Sequence, residues 1–222
     1  TATDGSGAVD TQSFTLKVTD AGNNFPTISS TAVTSATEDA AYSYTFEASD
    51  VDSGDTVTLA ATTKPSWLSF DASTGVLSGT PTNSNVGDHS VVLTATDAAG
   101  AVDTQSFTIT VANTNDAPTI TSSQVTSATE DAAYSYTFEA SDVDSGDTVT
   151  LAATTKPSWL SFDASTGVLS GTPTNSNVGD HSVVLTATDG SGAVDTQSFT
   201  ITVANTNDAP TITSSQVTSA TE

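Results

Sequence analysis

The sequence predicts an all-β chain of tandem Greek-key β-sandwich domains, each of about seven strands, arranged as beads on a string. Two observations carry this. Residues 33–97 and 125–189 are the same 65 residues in the same order, and the apolar residues inside that unit alternate with polar ones. Prolines 26, 118 and 210 mark a period of 92 residues. Solenoid units are shorter and bury no core alone, whereas a period near 100 suits domains that fold individually.

The elements follow in order along one unit. Tyr42, Tyr44, Phe46 and Ala48 alternate, as do Val57, Leu59 and Ala61, then Val91, Leu93 and Ala95, then Phe107, Ile109 and Val111. A period of two predicts strands with one buried face. Turn signals at DVDSGD, TTKP, DASTG, TPTNSNVGD and DAAGAVD separate these runs, and no helical periodicity competes with them. Thr94, Thr96, Thr108 and Thr110 suit the wet face of a pleat, where a β-branched residue packs and its hydroxyl stays hydrated. Ice-binding arrays also use such pairs, but need regular ranks across neighbouring strands.

The expected division is a closing fragment of a preceding repeat at 1–25, repeats at 26–117 and 118–209, and an opening fragment of a following repeat at 210–222. The end fragments are too short to complete a third domain, so the stretch reads as part of a longer polymer. Partial domains fray when isolated, so ordered ends would imply neighbours in a fibre or a polymer joined by strand exchange.

Composition narrows the function. There are 26 acidic residues against Lys17, Lys64 and Lys156, with no arginine, for a net charge of −23. Nucleic acid and anionic membrane surfaces are excluded as electrostatic partners. High charge can signal disorder, but 35% hydrophobic content with Trp67, Phe70, Tyr42 and Phe46 argues for a folded core, with something cationic offsetting the acids. The absence of cysteine rules out disulfides and thiolate metal sites. No apolar run approaches the roughly 18 residues that span a bilayer, so membrane insertion is not expected in this segment, and any export signal or anchor is expected outside it.

Acids and amides gather in a few turns: Glu38, Asp50-Val51-Asp52, Asp97, and the linker Asn113-Thr114-Asn115-Asp116-Ala117-Pro118. Each cluster recurs in the second copy. Calcium takes about six to eight oxygen ligands from carboxylates, amides and backbone carbonyls, and these turns supply that mixture. Residues two apart on a strand share a face, so a DxD pair aims two carboxylates the same way. They repel unless a divalent ion reverses the sign of the interaction. The plainer reading is that Asp, Asn and Gly are common turn formers, which does not explain the whole set recurring in order.

That ordered set, Glu38 in SATE, ASDVDSGD, FDASTG, ATD with Asp97, and NTNDAP, resembles the cadherin-like repeats of bacterial surface proteins, including Ig-like and dystroglycan-type cadherin families. The resemblance covers both modules and both fragments. It implies calcium held between successive domains. At the central junction it assigns Glu38, Asn113, Asn115 and Asp116, with Asp142, Asp144 and Asp189 from the second module. Upstream it assigns Asp20, Asn23 and Asn24 with Asp50, Asp52 and Asp97; downstream, Glu130, Asn205, Asn207 and Asp208. The chain departs from the animal pattern where TPTNSNVGD replaces the mid-domain DRE acids and where Asn113 replaces the first linker acid, which implies fewer or weaker ions. Asp88 and Asp180 are the available substitutes, but their spacing does not fit.

Trp67 and Trp159 in KPSWLSFD admit two readings: platforms for sugar stacking, as proposed for related modules, or core tryptophans. His89 and His181 stand alone, without a nucleophile turn or thiolates, so neither a triad nor a zinc site is expected. The expected function is therefore structural and not enzymatic. The chain reads as a calcium-rigidified extender of a large secreted adhesin or extracellular fibre, in cell adhesion, matrix or biofilm, with a carbohydrate-binding module as the alternative. The expected partners are neighbouring repeats, like chains in a fibre, and polysaccharide. Identical neighbours risk exchanging strands as they fold, a risk that export unfolded followed by folding in external calcium would reduce.

Overall fold

In a computed structural model, residues 1–14, 16, 22–220 and 222 are described. The chain forms two compact units, Thr1–Thr114 and Asn115–Glu222. The first carries a short hairpin of β1 (Ala2–Thr3) and β2 (Val9–Asp10), and then nine strands: β3 (Thr27–Ile28), β4 (Ser35–Thr37), β5 (Tyr42–Thr45), β6 (Ala48–Ser49), β7 (Thr58–Thr63), β8 (Leu68–Asp71), β9 (Val76–Gly79), β10 (Gly87–Thr96) and β11 (Val102–Ala112). The second repeats the nine as β12 (Thr119–Ile120), β13 (Ser127–Thr129), β14 (Tyr134–Thr137), β15 (Ala140–Ser141), β16 (Thr150–Thr155), β17 (Leu160–Asp163), β18 (Val168–Gly171), β19 (Gly179–Thr188) and β20 (Val194–Ala204).

Each unit is a sandwich. One layer has the order β4-β11-β10-β7, with β4 parallel to β11 and the other pairs antiparallel; the facing layer is β5-β9-β8, extended by the pair β3-β6. The second unit has the same order from β12 to β20. The count exceeds seven because two stretches of extended chain, one of them the predicted run from Tyr42, each divide into two strands. The run from Tyr42 to Ala48 divides when the Phe46 N–H leaves the ladder to donate to Gly75 O at 2.8 Å. The first strand divides because β3 pairs with β6 in one layer and β4 with β11 in the other.

The predicted alternation does form the core. Tyr42, Tyr44, Phe46, Leu68 and Leu77 meet Val91, Leu93, Ala95, Ile109 and Val111, all buried. A separate cluster centred on Leu185 and Ile201 fills the second unit. Each buried aliphatic side chain contributes about 1.5–3 kcal/mol. Thr108 and Thr110 are exposed as expected, whereas Thr94 and Thr96 are half-buried.

Trp67 and Trp159 are partly buried and pack against their cores. Trp67 stands edge-on to Tyr42 at 5.8 Å and to His89 at 6.0 Å between ring centroids, and its indole N–H is buried without an acceptor. This is the core reading of the tryptophans, since their rings meet protein neighbours. No helix among the described residues is long and apolar enough to cross a membrane.

Candidate metal centre

The strand lengths separate two groups of acids within each unit. In the second unit β20 is 11 residues long, roughly 35 Å at 3.3–3.4 Å per residue. Asp189 lies in the turn that precedes it, while Glu130 lies beside its far end, where the Glu130 N–H donates to Ala204 O at 3.0 Å.

At the first end, the DVDSGD turn curls its carboxylates inward. Asp142 Oδ1 accepts the Asp144 N–H at 2.9 Å. Asp144, 8% exposed, accepts the Asp116 N–H at 2.8 Å. Asp189, 6% exposed, closes its own turn by accepting the Ser191 and Ala193 N–H groups at 2.9 and 2.8 Å. Its other oxygen accepts the Asn115 side-chain amide at 2.8 Å. Asn115, Asp116, Asp142, Asp144 and Asp189 are thus gathered in one place, 74 residues apart at the extremes.

The first unit repeats this with its own linker. Asn23 Nδ2 donates to Asp97 Oδ2 at 2.7 Å, Asn24 donates twice to Asp52 at 2.7 and 2.9 Å, and Asp50 Oδ1 accepts the Asp52 N–H at 2.8 Å. Of the predicted upstream set, Asp20 lies outside the described residues.

A residue that sequence reasoning missed completes each cluster. Carboxylate oxygens of Asp50, Asp52 and Asp55 lie within 4.8 Å of one another, as do those of Asp142, Asp144 and Asp147. Burial raises the pKa of Asp147 above the ordinary carboxylate value, and the neighbouring charges of Asp142, Asp189 and Asp144 add to it. Asp55 is raised in the same way, by burial and then by Asp97, Asp50 and Asp52. Asp97 and Asp189 are instead lowered, first by the Asn23 and Asn115 amides. Buried oxygens of Asp50, Asp142 and Asp147 have no hydrogen-bond partner. The signal was present as the third acid of DVDSGD, but its spacing is not that of a DxD pair.

At the other end of the second unit, Glu130 is 2% exposed. Its Oε2 accepts the Thr206 N–H at 3.1 Å, and its Oε1 is buried without a partner. Oxygens of Glu130, Asp131 and Asp208 lie within 4.8 Å of one another. The Asn175 amide approaches Asp208 Oδ2 and Asn205 Oδ1, each at 3.5 Å. Asn205 and Asn207 turn their side-chain amides to the backbone carbonyls of Thr206 and Asp208. In the first unit Glu38, also buried, accepts the Thr114 N–H at 3.3 Å, and Asn113 lies 3.5 Å from the Asn83 amide. Asp88 and Asp180 stand apart, each accepting a hydroxyl across the ladder from Thr110 and Thr202 at 2.6 and 2.7 Å.

Carboxylates crowded to this degree, with buried lone pairs left over, suit a hard divalent cation. The described lysines are engaged elsewhere: Lys64 and Lys156 donate to Leu68 O and Leu160 O.

The family model for the Putative Ig domain matches residues 25–112 and again 117–204. The chain belongs to the Putative Ig domain family. Among relatives of this Ig-like chain are proteins called "Serine-rich adhesin for platelets" from Staphylococcus aureus. It is 38% identical over 144 residues, 65% of its length, to those of strains MRSA252 and MSSA476, of which the match covers 10% and 6%. The chain therefore spans a tenth or less of the curated relatives it matches. Among solved structures it resembles protocadherin gamma B2 extracellular cadherin domains 1–5, with TM-score 0.53, 19% identity, and coverage of 84% of this chain and 41% of that one. It also resembles human protocadherin-24 EC1-2, with TM-score 0.51, 17% identity, and coverage of 82% and 100%. At these identities the likeness is one of fold: tandem Ig-like domains of the cadherin type.

Proposed function

We propose that these Ig-like repeats are a calcium-stiffened extender of a surface adhesin or extracellular fibre, acting outside the cell. The observation that carries the reading concerns one linker position seen in two settings. Asp116 donates its backbone N–H to Asp144 at one end of the second unit. Its counterpart one period later, Asp208, lies with Glu130 at the other end. A linker that meets the glutamate of one repeat and the DxD turn of the next offers oxygens from both to a single cluster of ions. The adhesin part of the reading rests on the similarity to staphylococcal adhesins.

In this reading Glu38, Asn113, Asn115, Asp116, Asp142, Asp144 and Asp189 serve the central junction, with Asp147 added to them. Asn23, Asn24, Asp50, Asp52, Asp97 and Asp55 serve the preceding one, and Glu130, Asn205, Asn207 and Asp208 the following one. An ion that binds only the ordered junction stabilises it by mass action, about 2.7 kcal/mol at a hundred times its dissociation constant. It also converts a short linker into a stiff joint.

Small-angle X-ray scattering in millimolar calcium and then in excess chelator tests this. The expected result is a shorter maximum dimension and a broader distance distribution on chelation; an unchanged profile sinks the proposal.

A further inference from the structure

We infer that Asp131 is a carboxylate ligand of the cation that the Glu130 end binds, and that Asp39 plays the same part beside Glu38 in the first copy. The inference rests on the calcium reading above and adds a residue that it does not contain.

The first observation is the state of Glu130. A carboxylate at 2% exposure with one oxygen satisfied by the Thr206 N–H and the other buried without a partner is stabilised by a positive charge drawn to that second oxygen. The second is what surrounds it. Oxygens of Asp131 and Asp208 come within 4.8 Å of it, so the nearby groups add negative charge and hydrogen-bond acceptors. Among the described residues, the neutral Asn175 amide is directed at Asp208.

The third observation is the backbone. Asp131 has φ +58°, and Asp39 has φ +57°. These are the two non-glycine residues among those described that adopt the left-handed region, where a side chain costs energy that glycine avoids and Asp or Asn tolerates. The conformation is held from outside, by the Asp131 N–H donating to Pro173 O at 2.9 Å and the Asp39 N–H to Pro81 O at 2.9 Å. Glycine would satisfy this turn better, so backbone geometry alone does not account for a carboxylate here. Three carboxylates converging on one volume, one of them buried and half-satisfied, form a hard oxygen site for a divalent ion.

Asparagine keeps the tolerance for left-handed backbone and removes the charge; glycine relaxes the backbone and removes the side chain. The test titrates calcium chloride by calorimetry into the full 222-residue chain in four forms: unsubstituted, Glu38→Gln with Glu130→Gln, Asp39→Asn with Asp131→Asn, and Asp39→Gly with Asp131→Gly. Circular dichroism checks the fold of each. The expected result is that both substitutions at Asp39 and Asp131 weaken one class of sites by about tenfold or more, since even residues that only orient a ligand cost that much. If either pair leaves the titration unchanged while Glu38→Gln with Glu130→Gln weakens it, Asp131 is no ligand, and the calcium reading stands without it. If the unsubstituted chain takes up no calcium, both fall together.

Discussion

The Asn115 side-chain amide donates to Asp189 Oδ2 at 2.8 Å across 74 residues of sequence, and Asn23 makes the same bond to Asp97 at 2.7 Å. A linker amide thus holds the turn that precedes the last strand of its own unit. It leaves that carboxylate below its ordinary pKa, as expected for an acid whose charged form accepts a hydrogen bond.

Asn115→Ala is therefore expected to release the start of the second unit without unfolding it. Amide hydrogen exchange at residues 115–117 should speed up, while exchange in β19 and β20 stays slow. Equal protection in both forms would show that the Asp116 N–H bond to Asp144 holds the segment alone.

Leu93 and Leu185 are fully buried in separate cores. Leu185→Ala should cost its own unit about 2–5 kcal/mol, and Leu93→Ala should do the same to the first. Chemical denaturation should then show one early and one unshifted transition, because a cavity in one core removes no contact from the other.

Gly167 has φ +71°, and a Cβ placed there would run into Phe138 O; this is the Phe138 whose N–H donates to Gly167 O at 2.8 Å. Gly192 also has positive φ, +93°, but has open space around it. Gly192→Ala should cost about 1 kcal/mol from backbone conformation alone. Gly167→Ala should cost more, because a main-chain carbonyl cannot swing aside as the end of a flexible side chain can. Thermal melting of the two variants checks the order.

Tyr42 and Tyr134 donate their hydroxyls to Val33 O and Val125 O at 2.8 Å. Burial, then the neighbouring tyrosine, pushes each pKa up from 10.0 to about 12. A phenol whose folded pKa is raised binds its proton more tightly in the fold than in the open chain. Its contribution to stability is complete below pH 10 and is lost as pH rises through about 12. An ultraviolet titration should show a phenolate step near pH 12 that disappears in Tyr42→Phe with Tyr134→Phe.

The two ends differ in how visible they were beforehand. The DxD turn, Asp189 and the linker amides were legible because each sits in a short motif with its own spacing, and the structure brings them within hydrogen-bond range. Asp147 was not, although it lies three residues beyond Asp144: its approach depends on the turn at Ser145 and Gly146 curling back, with the Asp147 N–H on Asp144 O at 3.2 Å. Asp131 was hidden as the plain neighbour of a chosen glutamate. Only a left-handed backbone held by Pro173 brings its carboxylate beside the one before it, instead of to the opposite side as in a strand.

The sequence by itself determined the repeat, the all-β class and the buried residues, because a period of two is a local property that survives any arrangement of strands. It also determined that the acids outnumber every counter-charge the chain carries. Tertiary structure alone decided where the strands break. That outcome depends on which ladder takes the Phe46 N–H and on which layer claims β3 and β4, and these are competitions between partners distant in sequence. It also decided which carboxylates keep a buried, unsatisfied oxygen. Burial and hydrogen bonding are set by what packs against a group, and for Glu130 that is the chain leaving β20, 76 residues further along.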